Sequence, residues 1–510
     1  MTEVLVVGAG PAGLLLACEL RLAGIDTVLI EREPRRPDFC RGFNLNARAL
    51  DLLDRRGLAD RLVDEGWPVP HAAFSGLPVT LNLAGARTDH PYSLGIPQTR
   101  VEEILEAHAL GLGVEIRRGH ELRALEQDRE CVTATVSAGD REYRVRAAYL
   151  VGCDGGRSTV RKQAGIDFPG TGASRYTLLG DVELAEPAAL PFGATAGPGG
   201  TVLVIPRPGY VRIATADPRP PADKDTPVTL DLLQAAVDDV LGRHVTLRAP
   251  RWLTRFGDAA RQAAEYVRGR VLLAGDAAHI HPPAGAIGVN VALDDAFNLG
   301  WKLAATVRGH APAHLLDSYH TERHAVGARV LASTRAQVLL GDADDRLAPL
   351  VDLLTRVAAH PAGNRAFAEV VTGLDIRYDM RPESTHPWVG RLAPGLALTT
   401  GAGATGLAAL LATGRGLLLD LCAGNAVGGT ADGWADRVDT VTATCPDHPE
   451  LRAILLRPDG HTAWLRTDDD DSDGGLRQAL EHWYGPPARP ANPSAHLPVG
   501  RPAGLSSGPS

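Results

Sequence analysis

The N-terminal stretch leaves little choice of fold. Residues 2–7 read as a buried β-strand, Gly8-Ala9-Gly10-Pro11-Ala12-Gly13 comes next, and an apolar helical pattern runs on to Leu22. Gly24 closes that helix, and residues 26–30 form a second strand ending in Glu31-Arg32. Strand, G-x-G-x-x-G turn, helix, strand and acid, in that order, make up the dinucleotide fingerprint in the context it needs. Gly8, Gly10 and Gly13 permit a tight turn and let the backbone approach a pyrophosphate, whose charge the helix N-terminus stabilises. Glu31 is placed to accept hydrogen bonds from ribose hydroxyls, and an acid there disfavours a 2′-phosphate. The motif therefore suits FAD or NAD rather than NADP.

Two more strand-to-glycine turns recur downstream. In RVLLAGDAAHIHPPAGAIGVN, residues 270–290, a short apolar strand delivers Asp276 at its tip. A Pro/Gly-rich loop runs from Pro282 to Gly288, and a helix starts near Val289-Asn290. A helix start presents free N–H groups and partial positive charge, which suits an anionic group such as the N1–C2=O edge of a reduced flavin. An ordinary strand–loop–helix connection would read the same way. Residues 149–158, YLVGCDGGRS, place Asp154 and Gly155 at a second strand tip, ahead of a short helix. The bland reading there is a surface turn with Ser158 as N-cap. Arg41, just ahead of a helix at 47–53, is a candidate phosphate or ribityl contact, and Gln98 opens another helix.

Between residues 166 and 266 the pattern changes to short alternating segments (178–184, 202–205, 211–216) separated by Pro/Gly turns, with one helix at 230–241. An antiparallel sheet of this kind can wall in a flat substrate. Long helices are expected at 292–307 and 315–340, and a third unit of strands and helices begins near residue 381. The whole partitions into a dinucleotide-binding unit (1–70, 97–165, 267–340), a β-sheet unit (71–96, 166–266), a helical linker (341–384), a C-terminal unit (385–485) and a disordered tail (486–510).

A net charge of −9 leaves no basic surplus for phosphates, so nucleic acid is not an expected partner. The six cysteines include no C-x-x-C pair, and reduced thiols in a cytoplasmic protein are the default. The apolar N-terminus lacks a basic flank, carries Glu19 and is broken by Gly and Pro, so neither signal peptide nor membrane segment is expected. Three motifs are set aside. Gly401-Ala-Gly403-Ala-Thr-Gly406 matches G-x-G-x-x-G, but its helix stops at Gly414. His320 and His324 lack a third ligand, and the Asp469/Asp471/Asp473 run has Leu480 where a calcium loop needs a bidentate acid, so no metal is expected.

Together these motifs resemble the single-component FAD-dependent aromatic hydroxylases of the p-hydroxybenzoate hydroxylase type. The match is closest to the bacterial branch acting on aromatic polyketides. The matching segments include VVGAGPAGLLLACELRLAG, IPQTRVEEIL, YLVGCDGGRSTVRKQAGIDFPG, AGDAAHIHPP and, near the C-terminus, LRPDGHTAW. The resemblance implies an α/β fold: a Rossmann-like FAD-binding domain with an inserted antiparallel-sheet substrate domain and a C-terminal thioredoxin-like domain. It implies that Gly8, Gly10, Pro11, Ala12, Gly13, Glu31 and Arg32 surround the AMP half of FAD. Arg41 and Gln98 would meet the pyrophosphate and ribityl chain, and the strand at Leu122 would pass the adenine. Asp154 and Gly155 would serve the nucleotide, Asp276 a ribityl hydroxyl, and Pro283, Gly285, Gly288, Val289 and Asn290 the isoalloxazine. One departure stands out: the polyketide branch reads G-G-Q-G-x-N where this chain has Gly285-Ala286-Ile287-Gly288-Val289-Asn290.

The implied activity is monooxygenation. NADH or NADPH reduces FAD transiently, O2 adds to give a flavin C4a-hydroperoxide, and an aromatic phenol or quinone is hydroxylated. Arg41, His71, Tyr210, Arg212 and Pro283 are the candidates for a catalytic side chain, with none singled out. Rival expectations are Baeyer–Villiger insertion, inactivation of an aromatic antibiotic, and a flavoprotein that does not oxygenate. A monomer or homodimer is expected.

Overall fold

The computed structural model describes residues 1–488 apart from 222, 224–225, 342–344, 423–426, 428 and 469–473. The expected tail and the calcium-like aspartate run fall largely outside the described residues.

At the centre of an eight-stranded sheet, Thr2–Val7 pairs in parallel with Thr27–Glu31 on one side and Arg141–Gly152 on the other. Glu115–Arg118 and Val271–Leu273 continue the parallel array outward. Val4, Leu5 and Val6 are fully buried in one core with Leu14, Leu15 and Leu16 of the helix Pro11–Leu22 and with Leu122, Ala134 and Val136 of the strands His120–Gln127 and Val132–Ala138. The register of the parallel strands sets where their loops emerge. Val7 lies opposite both Gly152 and Ile30, and Gly152 lies opposite Leu273. The turns that begin at Gly8, Cys153 and Ala274 therefore leave the sheet side by side at the carboxyl ends of adjacent strands, where open α/β sheets bind ligands.

A separate five-stranded antiparallel sheet runs Gly193–Gly197, Gly200–Arg207, Tyr210–Ala216, Tyr176–Leu184 and Leu247–Gly257 in spatial order. Leu178, Val182, Val202, Val204 and Ile213 point to one face and pack on the helix Leu230–Leu241. That helix has the expected bounds because both ends are specified. The Thr229 hydroxyl accepts from Leu232 N–H, and Gly242 adopts a left-handed C-cap. The opposite face carries Leu203, Ala214, Leu179 and Thr254 in one cross-strand row and Ile205, Arg212, Asp181 and Trp252 in the next.

The segment 71–96 does not extend this sheet. The strands His71–Ala73 and Thr80–Asn82 form their own hairpin. Phe74, Leu77 and Leu81 pack there with Ala358, Ala368 and Val371 of the helices Ala348–Ala359 and Pro361–Thr372. Ser93–Gly95 instead joins Asn44–Leu45 and Trp67–Val69.

The C-terminal six-stranded sheet is mixed and includes two strands the sequence reading does not place, Gly403–Gly406 and Val438–Thr444. The former pairs antiparallel with Ala397–Thr400. The second G-x-G-x-x-G thus forms a hairpin arm, not a nucleotide turn. Among the described residues no helix is long and apolar enough to cross a membrane.

Candidate active site

The fingerprint glycines are needed for different reasons. Gly8 has φ +107°, and a Cβ there would lie 2.4 Å from the Cys153 carbonyl oxygen. A Cβ on Gly13 would lie 1.9 Å from the carbonyl oxygen of Gly8. Protein packing alone requires these two. A Cβ on Gly10 would meet nothing within 4 Å. Gly10 is the N-cap of Pro11–Leu22, which has Pro11 in its first turn and no side-chain cap. An uncapped helix start fronted by an open glycine is what a pyrophosphate needs, so these residues fit the dinucleotide half of FAD. Glu31 stands against the same turn, its Oε2 accepting from Ala9 N–H at 2.8 Å. Arg32 points to solvent beside Glu33, in an exposed pair.

The second turn is organised by its own acid. Asp154 Oδ1 accepts from the Ser158 hydroxyl at 2.5 Å, and Oδ2 accepts from the N–H groups of Thr159 and Val160 at 2.7 and 3.1 Å. Burial raises its carboxyl above the ordinary value against these hydrogen bonds. Asp154 therefore acts on the turn that carries Gly155. Ser158 does cap Thr159–Gln163, as the bland reading held, but it is fully buried and not on a surface turn. Arg161, to which the sequence pattern assigns no role, ties two turns together, donating to Ala277 O at 2.7 Å and Gly156 O at 2.8 Å. In the third turn Asp276 is exposed. The Gly275 N–H donates to Asp295 Oδ2 at 3.0 Å.

Gly288–Val307 starts one residue before the expected helix start. Asn290 is buried and serves as a clasp, its Oδ1 accepting from Asn46 N–H at 2.8 Å and its Nδ2 donating to Asn44 O and Ala286 O. Pro283 is exposed at the head of the loop. Ala286 holds φ +52°, a left-handed conformation where the polyketide branch has glycine. Ile287, in place of the branch's Gln, turns inward and is buried. A narrow crevice lined by Gly42, Asn44, Leu45, Ile96, Gln98 and Val289 brings two predicted contacts, Gln98 and Val289, to one place. Leu122 is a core side chain, so only its backbone is available to a ligand.

The loop that carries Gly42 into this crevice packs at residues 39–41 on the face of the antiparallel sheet that bears Arg212. Arg212 is buried there, and its guanidinium meets Asp181 Oδ1 at 2.7 Å and Oδ2 at 2.9 Å while also donating to the main-chain oxygens of Cys40 and Arg41. Four of its five N–H groups are engaged in this way, which makes it a positioning residue. Arg41 itself lies in coil and does not start the helix Ala47–Asp54, whose cap is Asn46. Its side chain is exposed and lies near Phe39, which stacks on Trp252 at 4.7 Å. Tyr210 faces Arg251, and burial raises its phenol. His71 is exposed on the 71–82 hairpin, apart from the crevice. Sequence reading misses the aromatics Phe39, Phe43 and Trp252, whose only signal is their nearness to Arg41 and to the sheet.

Residues 1–334 match the FAD binding domain family, and residues 386–487 match the aromatic-ring hydroxylase C-terminal family. The chain is 43% identical over 504 residues to the 12-dehydrotetracycline 5-monooxygenase/anhydrotetracycline 6-monooxygenase of Streptomyces rimosus, covering 95% of this chain and 99% of that protein. It is 42% identical over 496 residues to the dialkyldecalin synthase of Streptomyces rugosporus, with 95% and 99% covered. The solved structure of the anhydrotetracycline hydroxylase OxyS from Streptomyces rimosus superposes with a TM-score of 0.90 at 42% identity, covering 96% of this chain and 100% of that one. With three turns converging on one sheet edge and these matches across both halves, the chain belongs to the FAD-dependent aromatic-ring hydroxylases, the flavoprotein monooxygenase family its motifs resemble.

Proposed function

We propose that the protein hydroxylates an aromatic polyketide, a phenol or quinone, consuming NADH or NADPH and O2 with FAD as cofactor. The observation that carries this reading is the pairing of two surfaces. The three strand-tip turns offer a dinucleotide cradle, and the antiparallel sheet offers the row Leu203, Ala214, Leu179 and Thr254 beside the Arg212 row that grips the loop at residues 40–41. FAD, when bound, supplies the transfer of electrons from the nicotinamide and the activation of oxygen. The chain's own residues do the rest. The open approach at Gly10 and the first-turn N–H groups of Ala12 and Gly13 would hold the pyrophosphate, with Glu31 toward the ribose. Gln98, Val289 and the Asn290 clasp would border the ring system, and Arg212 fixes the loop at residues 40–41 against the sheet. Leu179, Leu203 and Ala214 would give the substrate side an apolar surface that a bound ring covers.

In this reading the parallel sheet is the Rossmann-like FAD-binding domain, the five-stranded sheet is the inserted substrate domain, and residues 385–485 form a thioredoxin-like unit. The protein works in the cytoplasm as a monomer or homodimer. The similarity to a dialkyldecalin synthase supports a second reading, a flavoprotein that shapes its ligand without oxygenating it. The test is turnover of purified yellow protein with a panel of polyketide quinones under 18O2. The hydroxylase reading expects substrate-accelerated NAD(P)H oxidation and one labelled oxygen on an intact ring. A ring-expanded lactone identifies Baeyer–Villiger chemistry, and a product of unchanged mass identifies the second reading.

A further inference from the structure

Two arginines five positions apart reach the region between the sheet and the loop at residues 39–45, and their circumstances differ. Arg212 is ion-paired with the buried Asp181 and donates to two main-chain oxygens. Arg207 is held differently. Among the described residues no carboxylate pairs with it, its Nε is buried without a hydrogen-bond partner, and its Nη1 donates to the adjoining Pro206 carbonyl at 3.0 Å. Its guanidinium carbon lies 3.4 Å from the centroid of the Phe43 ring, which holds the planar group in place. Burial, helped by the nearby Arg212 cation, lowers Arg207 to about 10, so it remains charged at neutral pH.

Arg207 lines a pocket with Trp67, Ile205, Pro206 and Pro208, of which it is the one charged member. An apolar wall with a single cation suits a flat ligand that bears one anionic oxygen. It does not suit a phosphate, which calls for several converging donors. Phe43, under Arg207, is flanked in the chain by Gly42 and Asn44, both of which line the crevice shared by Gln98 and Val289. A ligand anchored at Arg207 would therefore lie near the loop that carries Gly42 and Asn44 toward Gln98 and Val289.

We propose that Arg207 is the residue that selects the ionised substrate, binding an oxygen conjugated to its aromatic ring as phenolate or enolate. This rests on the hydroxylase reading for the identity of the site. A phenolate is also the electron-rich form a hydroxylation needs, so recognition and activation coincide in one contact.

The test measures dissociation constants of full-length, FAD-loaded protein from changes in flavin absorbance. The probes are 1,2-dihydroxyanthraquinone, its dimethyl ether and anthraquinone-2-carboxylate, and the proteins are the wild type, R207K and R207Q. R207Q is expected to weaken the ionised dihydroxyanthraquinone by about tenfold or more, the loss of one charge-assisted hydrogen bond, while the ether binds as before. R207K should fall between. Wild-type affinity should rise as pH passes the probe's own phenol pKa, and R207Q should be flat. Equal weakening of phenol and ether, no weakening of either, no binding to the wild type, or loss confined to the carboxylate probe overturns the assignment. Charge-selective loss without 18O incorporation would keep the Arg207 site and dismiss the hydroxylase reading. Incorporation with an R207Q that binds like wild type would do the reverse.

Discussion

Gly10 and Gly13 share a motif and a helix turn, yet the structure asks for them on unrelated grounds. A methyl group on Gly13 collides with the Gly8 carbonyl, whereas one on Gly10 projects into open space. Gly10→Ala should leave the thermal unfolding of the FAD-free protein unchanged and sharply reduce FAD affinity. Gly13→Ala should lower the unfolding temperature of the FAD-free protein itself. Differential scanning fluorimetry of the two FAD-free variants, with FAD titration after it, checks both. A Gly10→Ala protein that binds FAD like wild type would remove the phosphate role from that turn.

Between elements, the important contact is the Arg212–Asp181 pair, which fastens the antiparallel sheet to the main chain at residues 40–41. Both side chains are buried, so neutralising one leaves a desolvated charge, a loss of about 3–5 kcal/mol for pairs of this kind. Asp181→Asn should lower the stability measured by urea unfolding by that amount and weaken FAD as well, because the freed loop borders the Gln98 crevice. Loss of stability with unchanged FAD affinity would show that the clamp serves only the sheet.

Asp181 and Arg212 also mark the boundary of what could be read from the chain. Local signals were legible: the fingerprint, the three strand-tip turns, and helices such as Leu230–Leu241 with a cap at each end. Gly403–Gly406 kept a nucleotide-like spelling and became a hairpin arm, because its partner Ala397–Thr400 decides its conformation. Val438–Thr444 has β-branched residues between Asp432-Gly433 and Pro446-Asp447, but its place in the sheet is set by Gly416–Asp420, which lies parallel to it. Asp154 was legible as an acid at a strand tip but not as the acceptor for its own helix start. Contacts across tens of residues leave no spacing to read.

At the scale of the whole molecule, a buried set of charges joins the helices Gly288–Val307 and Leu315–Leu340 to the C-terminal turn at 457–461. Arg48, Lys302, Arg323 and Arg457 are matched by Asp294, Asp295, Glu322 and Asp459. Glu322 is its hinge, accepting from Arg457 at 2.6 and 2.9 Å, from Lys302 at 2.8 Å and from Asn298 at 2.6 Å. Burial alone would raise its carboxyl, but Arg457 and Lys302 outweigh burial and hold it at about 2, below its ordinary 4.5. A carboxylate held lower in the folded than in the unfolded chain adds stability that is complete above the ordinary value and lost as pH falls toward the folded one. For Glu322 that window runs from about 4.5 down to about 2, and the amount at stake is roughly 3 kcal/mol. Glu322→Gln mimics the protonated state, so it should be less stable than wild type at neutral pH by a similar amount. The two proteins' calorimetric unfolding temperatures should then converge as pH drops through that window. Parallel curves would mean the C-terminal unit is held by its apolar contacts, chiefly Trp301 against Trp483 and Tyr484, and not by this charge cluster.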